Sequence, residues 1–161
     1  HVVGGATGDK QDRDIVRVVL ECCMQEEAFN AYYAHLLARV CKHHRDHVFT
    51  LQYALWDHFK QTDTMEVRRL VNLAKLTATL TSLLTLDLSI FRTLEFRRLS
   101  KRMTFFLRLY FEQIFSEFGD ATIKSLFTRI ATTEKLAHLK EAYLYLLGGY
   151  MEKAAGGGEG K

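Results

Sequence analysis

The sequence predicts an all-α domain of stacked antiparallel helix pairs, a HEAT/ARM-like solenoid of about eight helices. Apolar residues recur every three or four positions and almost nowhere alternate strictly, which is the period of a helix and not of a strand. Not one proline occurs in the 161 residues, so the commonest helix breaker is missing. Hydrophobic residues make up 48% of the chain, enough for a continuous core in a single domain.

The first helix is expected from about Asp12 to Gln25, with Ile15, Val19, Cys22 and Cys23 as its apolar side and Asp12 or Asp14 at the end where the helix dipole favours negative charge. Asn30 is a good N-cap for the second, whose face is Tyr33, Leu36, Leu37 and Val40. A third begins near Asp46 and carries Val48, Leu51, Leu55 and Phe59, with Trp56 bordering that stripe. Thr62 or Thr64 should cap the fourth, Met65 to Leu76, in which Val67, Leu70, Val71, Ala74 and Thr77 share a face. Arg69 and Asn72 lie beside that face, so near a core that both need partners: a carboxylate for the guanidinium, backbone groups of another helix for the amide. Trp56, Arg69 and Asn72 are therefore read as structural.

A shorter helix is expected over Leu88 to Leu94. Ser100 then caps one that ends near Phe118, and Phe105, Phe106, Leu107, Leu109, Tyr110, Phe111, Ile114 and Phe115 make it apolar on nearly all sides. It should be the most buried element. Gly119 stops it; Asp120 opens a helix presenting Ile123, Leu126, Phe127 and Ile130, and Thr132 or Thr133 opens a last one presenting Leu136, Leu139, Tyr143, Leu146 and Leu147. Glycines at 4, 5 and 8 suggest a flexible lead over 1–11, and those from Gly156 to Gly160 a flexible tail over 154–161, leaving 12–153 as the domain. With His1 in first place, the chain reads as a piece of a longer protein.

The formal net charge is +3, which permits contact with RNA without the dense basic character of a dedicated nucleic-acid domain. Three cysteines rule against a full disulfide framework and favour a reducing compartment. No stretch reads as a membrane span or a signal peptide: the apolar run from Leu76 to Ile90 is interrupted by Thr, Ser and Asp.

Few residues suggest chemistry. His43, His44 and His47 crowd one turn but lack the acid and thiol partners of a zinc site, so a solvated connection is expected there. Cys22, Cys23 and Cys41 read as small core residues. Asp57 and His58 are adjacent, and successive helical positions diverge too far to orient one another. No catalytic set, cofactor site or metal site emerges. The better lead is Arg97-Arg98-Leu99-Ser100-Lys101-Arg102, four cations around a helix start where exposed backbone N–H groups also favour anions. Arg97, Arg98, Lys101 and Arg102, with Arg68, are candidate contacts for RNA or an acidic partner, and Ser100 a candidate site for a basophilic kinase; the plainer alternative is a solvated turn. The seven Tyr and eleven Phe could stack on bases, yet they fall at core spacing, so packing is expected of them.

Four segments carry a resemblance to a known family: Asp14-Ile-Val-Arg-Val-Val-Leu-Glu-Cys-Cys-Met-Gln-Glu-Glu, Phe29-Asn-Ala-Tyr-Tyr-Ala-His-Leu-Leu-Ala-Arg-Val-Cys41, Phe49-Thr-Leu-Gln-Tyr-Ala-Leu-Trp-Asp-His-Phe-Lys60, and Met65 to Leu76. In order along the chain, they resemble the MI (MA-3) domain, in the form found in nucleolar proteins that also carry a middle domain like that of initiation factor 4G, the suppressor-of-glycerol-defect type. The resemblance implies a non-catalytic, monomeric scaffold module of the nucleus and nucleolus. It further implies a factor that assists a DEAD-box RNA helicase in maturing small-subunit (18S) pre-rRNA, with the helicase or other ribosome-assembly proteins as partners. Two alternatives stay open: direct binding of pre-rRNA through the basic cluster, and membership of a translation or splicing scaffold.

Overall fold

The computed structural model describes the backbone of residues 3–117 and the side chains of residues 14–116. Five α-helices run in order, α1 (Val3–Gln25), α2 (Tyr32–His43), α3 (Asp46–Phe59), α4 (Val67–Ser82) and α5 (Lys101–Glu117), with 3-10 turns at Thr62–Thr64, Leu88–Phe91 and Phe96–Arg98. No strand occurs among the described residues, and α1 packs on α2, α2 on α3 and α4 on α5, consistent with a HEAT-like solenoid. The two helices expected beyond Gly119 and the tail at 154–161 lie outside the described residues.

The central element is α4, which packs against α1, α2 and α5. It displaces the Ser100 helix from the place expected of it: α5 keeps Lys101, Arg108, Glu112 and Ser116 exposed, whereas α4 buries almost every residue from Leu70 to Thr81. Threonines make this possible. The hydroxyls of Thr77, Thr79 and Thr81 donate to the carbonyls of Leu73, Lys75 and Thr77 one turn back, at 2.7, 2.8 and 2.8 Å, so each polar atom is satisfied within the helix that carries it. The same bonds carry the helix past Leu76 to Ser82, through a stretch whose threonines read as interruptions.

The end of α4 holds the one non-glycine residue with positive φ among the described residues, Leu84 at 63°. Its N–H donates to Thr81 O at 3.0 Å, and that of Thr85 to Leu80 O at 3.1 Å, the paired bonds of a Schellman stop that glycine usually supplies. A leucine there suffers a Cβ clash of about 1–2 kcal/mol, and its side chain is exposed. Leu84→Gly should raise stability by about 0.5–1 kcal/mol after the loss of chain entropy is subtracted, read as a higher urea midpoint at constant slope; a lower midpoint would show that the side chain packs more than it strains.

Two helix starts follow local cap chemistry. Asn30 Oδ1 accepts from the N–H of Tyr32 at 3.0 Å and Ser100 Oγ accepts from Met103 N–H at 3.1 Å; α3 opens at Asp46 as expected, with no side-chain cap but with that carboxylate in its first turn. Thr62 and Thr64, by contrast, do not cap α4. Both lie in a 3-10 turn and donate to Phe59 O and Gln61 O, while Glu66 occupies the N-cap place without a side-chain bond. The helix expected over Leu88 to Leu94 is only a 3-10 turn, Leu88–Phe91, because Asp87 accepts from Ser89 N–H at 2.8 Å and starts a tight turn.

Three other expectations are corrected. The buried stripe of α1 is Val16, Leu20, Cys23 and Met24; of the expected stripe of Ile15, Val19, Cys22 and Cys23, Cys23 is in it and Val19 packs at its edge, whereas Ile15 and Cys22 face outward with Val18. Helix α1 begins at Val3, ahead of the expected start near Asp12, since extending an established helix is far easier than nucleating one and no proline stops it. His47 is not solvated. One turn before Leu51, it shares the inward face of α3, only 6% exposed, with Nδ1 lacking a hydrogen-bond partner. Burial pushes the Cys23 thiol up to about 12 and that of Cys41 up to about 11, leaving both inert.

Candidate functional site

Among the described residues, four cations without an ion pair cluster where the 3-10 turn at Phe96–Arg98 leads into α5. Leu94, Phe96 and Leu99 pack against the core, and these apolar anchors leave Arg97 and Arg98 exposed between them. Arg98 N–H closes the turn on Glu95 O at 3.0 Å. Ser100 then caps α5, so Lys101 and Arg102 open the helix beside its N-terminal N–H groups, where the dipole adds to their positive potential.

From this junction a groove of about 310 Å³ runs along α5, lined by Leu99, Lys101, Thr104, Phe105 and Arg108. Lys101, Thr104, Phe105 and Arg108 stand at the spacing of one helix face. Two cations, a hydroxyl and a phenyl ring therefore line one hollow, with no carboxylate among the described residues of its wall. Among the described residues none of Arg97, Arg98, Lys101, Arg102 and Arg108 forms an ion pair; the pairs present are Arg17 with Asp57, His44 with Asp46, Arg68 with Glu66 and Arg69 with Glu21. Such a surface suits an acidic partner with an apolar residue to seat on Phe105. In the sequence Phe105 stands out only as a packing residue and Arg108 not at all, although their place four and seven positions after Lys101 marks them.

The other candidates are placed differently. Arg68 stands at the start of α4, its guanidinium 4.0 Å from Glu66, on a different element from the other four. Ser100 is half-buried, its hydroxyl engaged as the α5 cap, so a phosphate there would add charge to a helix start already ringed by cations. Arg69 clamps Glu21 of α1 through two bonds of 2.6 and 3.0 Å, which hold the Glu21 carboxyl below its usual range. Asn72 is fully buried and its amide Nδ2 donates toward Cys23 O, Met24 O and Glu26 O at 3.1, 3.4 and 2.8 Å. It thereby caps the C-terminal end of α1 from outside, filling carbonyls that the helix cannot satisfy itself.

Trp56 is half-buried, with Nε1 donating to Ile90 O at 2.8 Å and the Arg92 guanidinium 4.9 Å from its ring centroid. That hydrogen bond ties α3 to the Leu88–Phe91 turn and holds the chain leading to the basic junction. Trp56→Ala should destabilise the domain by about 2 kcal/mol, less than for a fully buried tryptophan; an unchanged thermal midpoint would show the indole to be a surface group only. Asp57 turns to Arg17 at 3.4 Å and not to His58, whose imidazole is held below its ordinary range chiefly by burial. Among the described residues no group of three His, Cys, Asp or Glu side chains could hold a metal ion, and no helix is long and apolar enough to cross a membrane.

The described residues form an all-helical domain with a cationic groove, the kind of surface an interaction module presents. Residues 7–87 match the MA3 domain family, and the chain belongs to that family. It is similar to the Nucleolar MIF4G domain-containing protein 1 of Mus musculus, 31% identical over 145 residues, which is 90% of this chain and 17% of that protein. The Homo sapiens protein of the same name is 31% identical over 147 residues, 91% of this chain and 17% of that protein. The Suppressor of glycerol defect protein 1 of Schizosaccharomyces pombe is 28% identical over 109 residues, 63% of this chain and 14% of that protein. The chain thus spans 17% of the length of its mammalian relatives. The basic junction lies beyond the stretch that matches the family model.

Proposed function

We propose that this chain is the non-catalytic protein-interaction module of a nucleolar ribosome-biogenesis factor, which assists a DEAD-box RNA helicase in small-subunit (18S) pre-rRNA processing. The nucleolar setting is supported by the names of the mammalian relatives and by the MA3 family. The observation that carries an interaction role is the set of cations at Arg97, Arg98, Lys101, Arg102 and Arg108, without an ion pair among the described residues, of which Lys101 and Arg108 line a groove that also holds the Phe105 ring. Its partner is an acidic segment of the helicase or of another assembly factor. Pull-down from nuclear extract with and without nuclease, read by mass spectrometry, tests this: helicase or assembly factors retained after nuclease support it, and disappearance of every partner on nuclease treatment contradicts it.

The same cations favour a second reading, direct contact with pre-rRNA phosphates. The two differ in salt dependence. Binding through phosphates weakens steeply with salt as counterions are released, whereas a protein segment anchored on Phe105 keeps most of its affinity.

A further inference from the structure

Helix α3 carries aromatic rings where a surface helix should carry polar groups. Its inward side is His47, Leu51, Ala54, Leu55 and Phe59, all buried. On the opposite side Phe49 and Tyr53 are 56% and 59% exposed, and Trp56 continues the same line, three and four residues being the spacing of neighbours on one helix face. Tyr53 meets the Trp56 ring edge-on at 5.5 Å between centroids. Neither the Phe49 nor the Tyr53 ring belongs to the core. Most described aromatics pack as expected, Phe59, Phe91, Phe106 and Tyr110 among them, and Phe49 and Tyr53 depart from that pattern.

Cations frame the line. Arg45 precedes the first turn of α3, Lys60 follows its last, both exposed and without an ion pair among the described residues, and Arg92 leans over Trp56. The two carboxylates on the flank of this face, Asp57 and Asp46, are turned to Arg17 at 3.4 Å and His44 at 3.7 Å. Positive ends with stacked-ring chemistry between them complement a strand of phosphates with bases: aromatic faces accept any base, and the cations track the backbone. We propose that the outer face of α3 is a binding platform for single-stranded RNA, in which bases stack on Phe49 and Tyr53 while Arg45, Lys60 and Arg92 contact phosphates. This site is separate from the basic junction at α5 and stands without the function proposed for it.

The test is a titration of the full chain with a short fluorescein-labelled oligouridine, followed by anisotropy and by quenching of Trp56, the single tryptophan. Phe49→Ala and Tyr53→Ala should each weaken binding roughly 5- to 100-fold, the range of one missing base stack, with unchanged thermal midpoints because both rings are exposed. Tyr53→Phe should bind like the parent, and Arg45→Ala with Lys60→Ala should reduce the slope of log affinity against log salt by about 0.7 for each phosphate no longer neutralised. Because Phe49 is the ring farther from Trp56, its variant remains decisive if Tyr53→Ala loosens the fold. Binding indifferent to both rings, no binding at low salt, or dependence on Arg97 and Arg98 alone would overturn the proposal. So would nuclease-resistant capture of a protein that disappears in the ring variants, which would make α3 a protein-docking face.

Discussion

Tyr110→Ala should remove about 3–5 kcal/mol of stability, a large part of what a domain of this size possesses. Tyr110 is completely buried and its ring lies edge-on to Phe91 and Phe111 at 4.8 and 5.2 Å. Phe91 in turn stacks on Phe59 at 5.6 Å and meets Phe106 at 6.2 Å, so one truncation opens a cavity among side chains from α3, α5 and the Leu88–Phe91 turn. The phenol also begins a relay: it donates to Thr81 Oγ1 at 2.9 Å, and Thr81 donates to Thr77 O. Burial pushes the phenol well above its ordinary range, so it stays a donor throughout the working pH range. Tyr110→Phe isolates that bond and should cost about 1–2 kcal/mol. Urea unfolding followed by Trp56 fluorescence measures both; a loss below about 1 kcal/mol for Tyr110→Ala would mean that α5 is not locked to α4 through this residue.

Asn72→Leu should destabilise by about 3–4 kcal/mol although it replaces a polar residue in a core with an apolar one of similar size. The reason is asymmetry. Removing both partners of a buried bond can be neutral, but here the carbonyls of Met24 and Glu26 lose the Asn72 donor and Cys23 O keeps only the Glu26 N–H at 3.4 Å, and each unsatisfied acceptor costs about 1–3 kcal/mol. Asn72→Asp should be as harmful or worse, since a carboxylate offers those carbonyls no N–H and places negative charge at the negative end of a helix dipole. Hydrogen exchange of α1 amides localises the effect: protection should fall across α1 first. If Asn72→Leu were neutral, other donors would be serving that helix end.

How much of this is legible in the sequence depends on range. Asn30 and Ser100 announce helix starts because a cap is made within a few residues of itself. That Arg69 and Asn72 need partners follows from their place beside an apolar stripe, but Glu21 and the Cys23 carbonyl lie on another helix, and nothing local names them. The buried face of α1 is hidden because Ile15, Val18, Val19 and Cys22 form an apolar stripe as good as the buried one. Threonine misleads along α4, where a hydroxyl bonded one turn back behaves as a core group. Phe49 and Tyr53 resemble packing residues because a count of rings carries no direction, and the groove at Leu99 to Arg108 needs the anchored Phe96–Arg98 turn to set its wall.

The measurement that bears most directly on an interaction surface at the α5 junction is the nuclease-treated capture repeated with Arg97→Glu and Arg98→Glu combined, beside a thermal melt of the same protein. Exposed arginines contribute little to folding, so stability should stay within about 0.5 kcal/mol of the parent, while two like charges set against an acidic partner should abolish retention at physiological salt. Equal recovery of the same partners by the parent and the reversed protein would contradict the account, and would leave the Arg97–Arg108 junction a solvated turn.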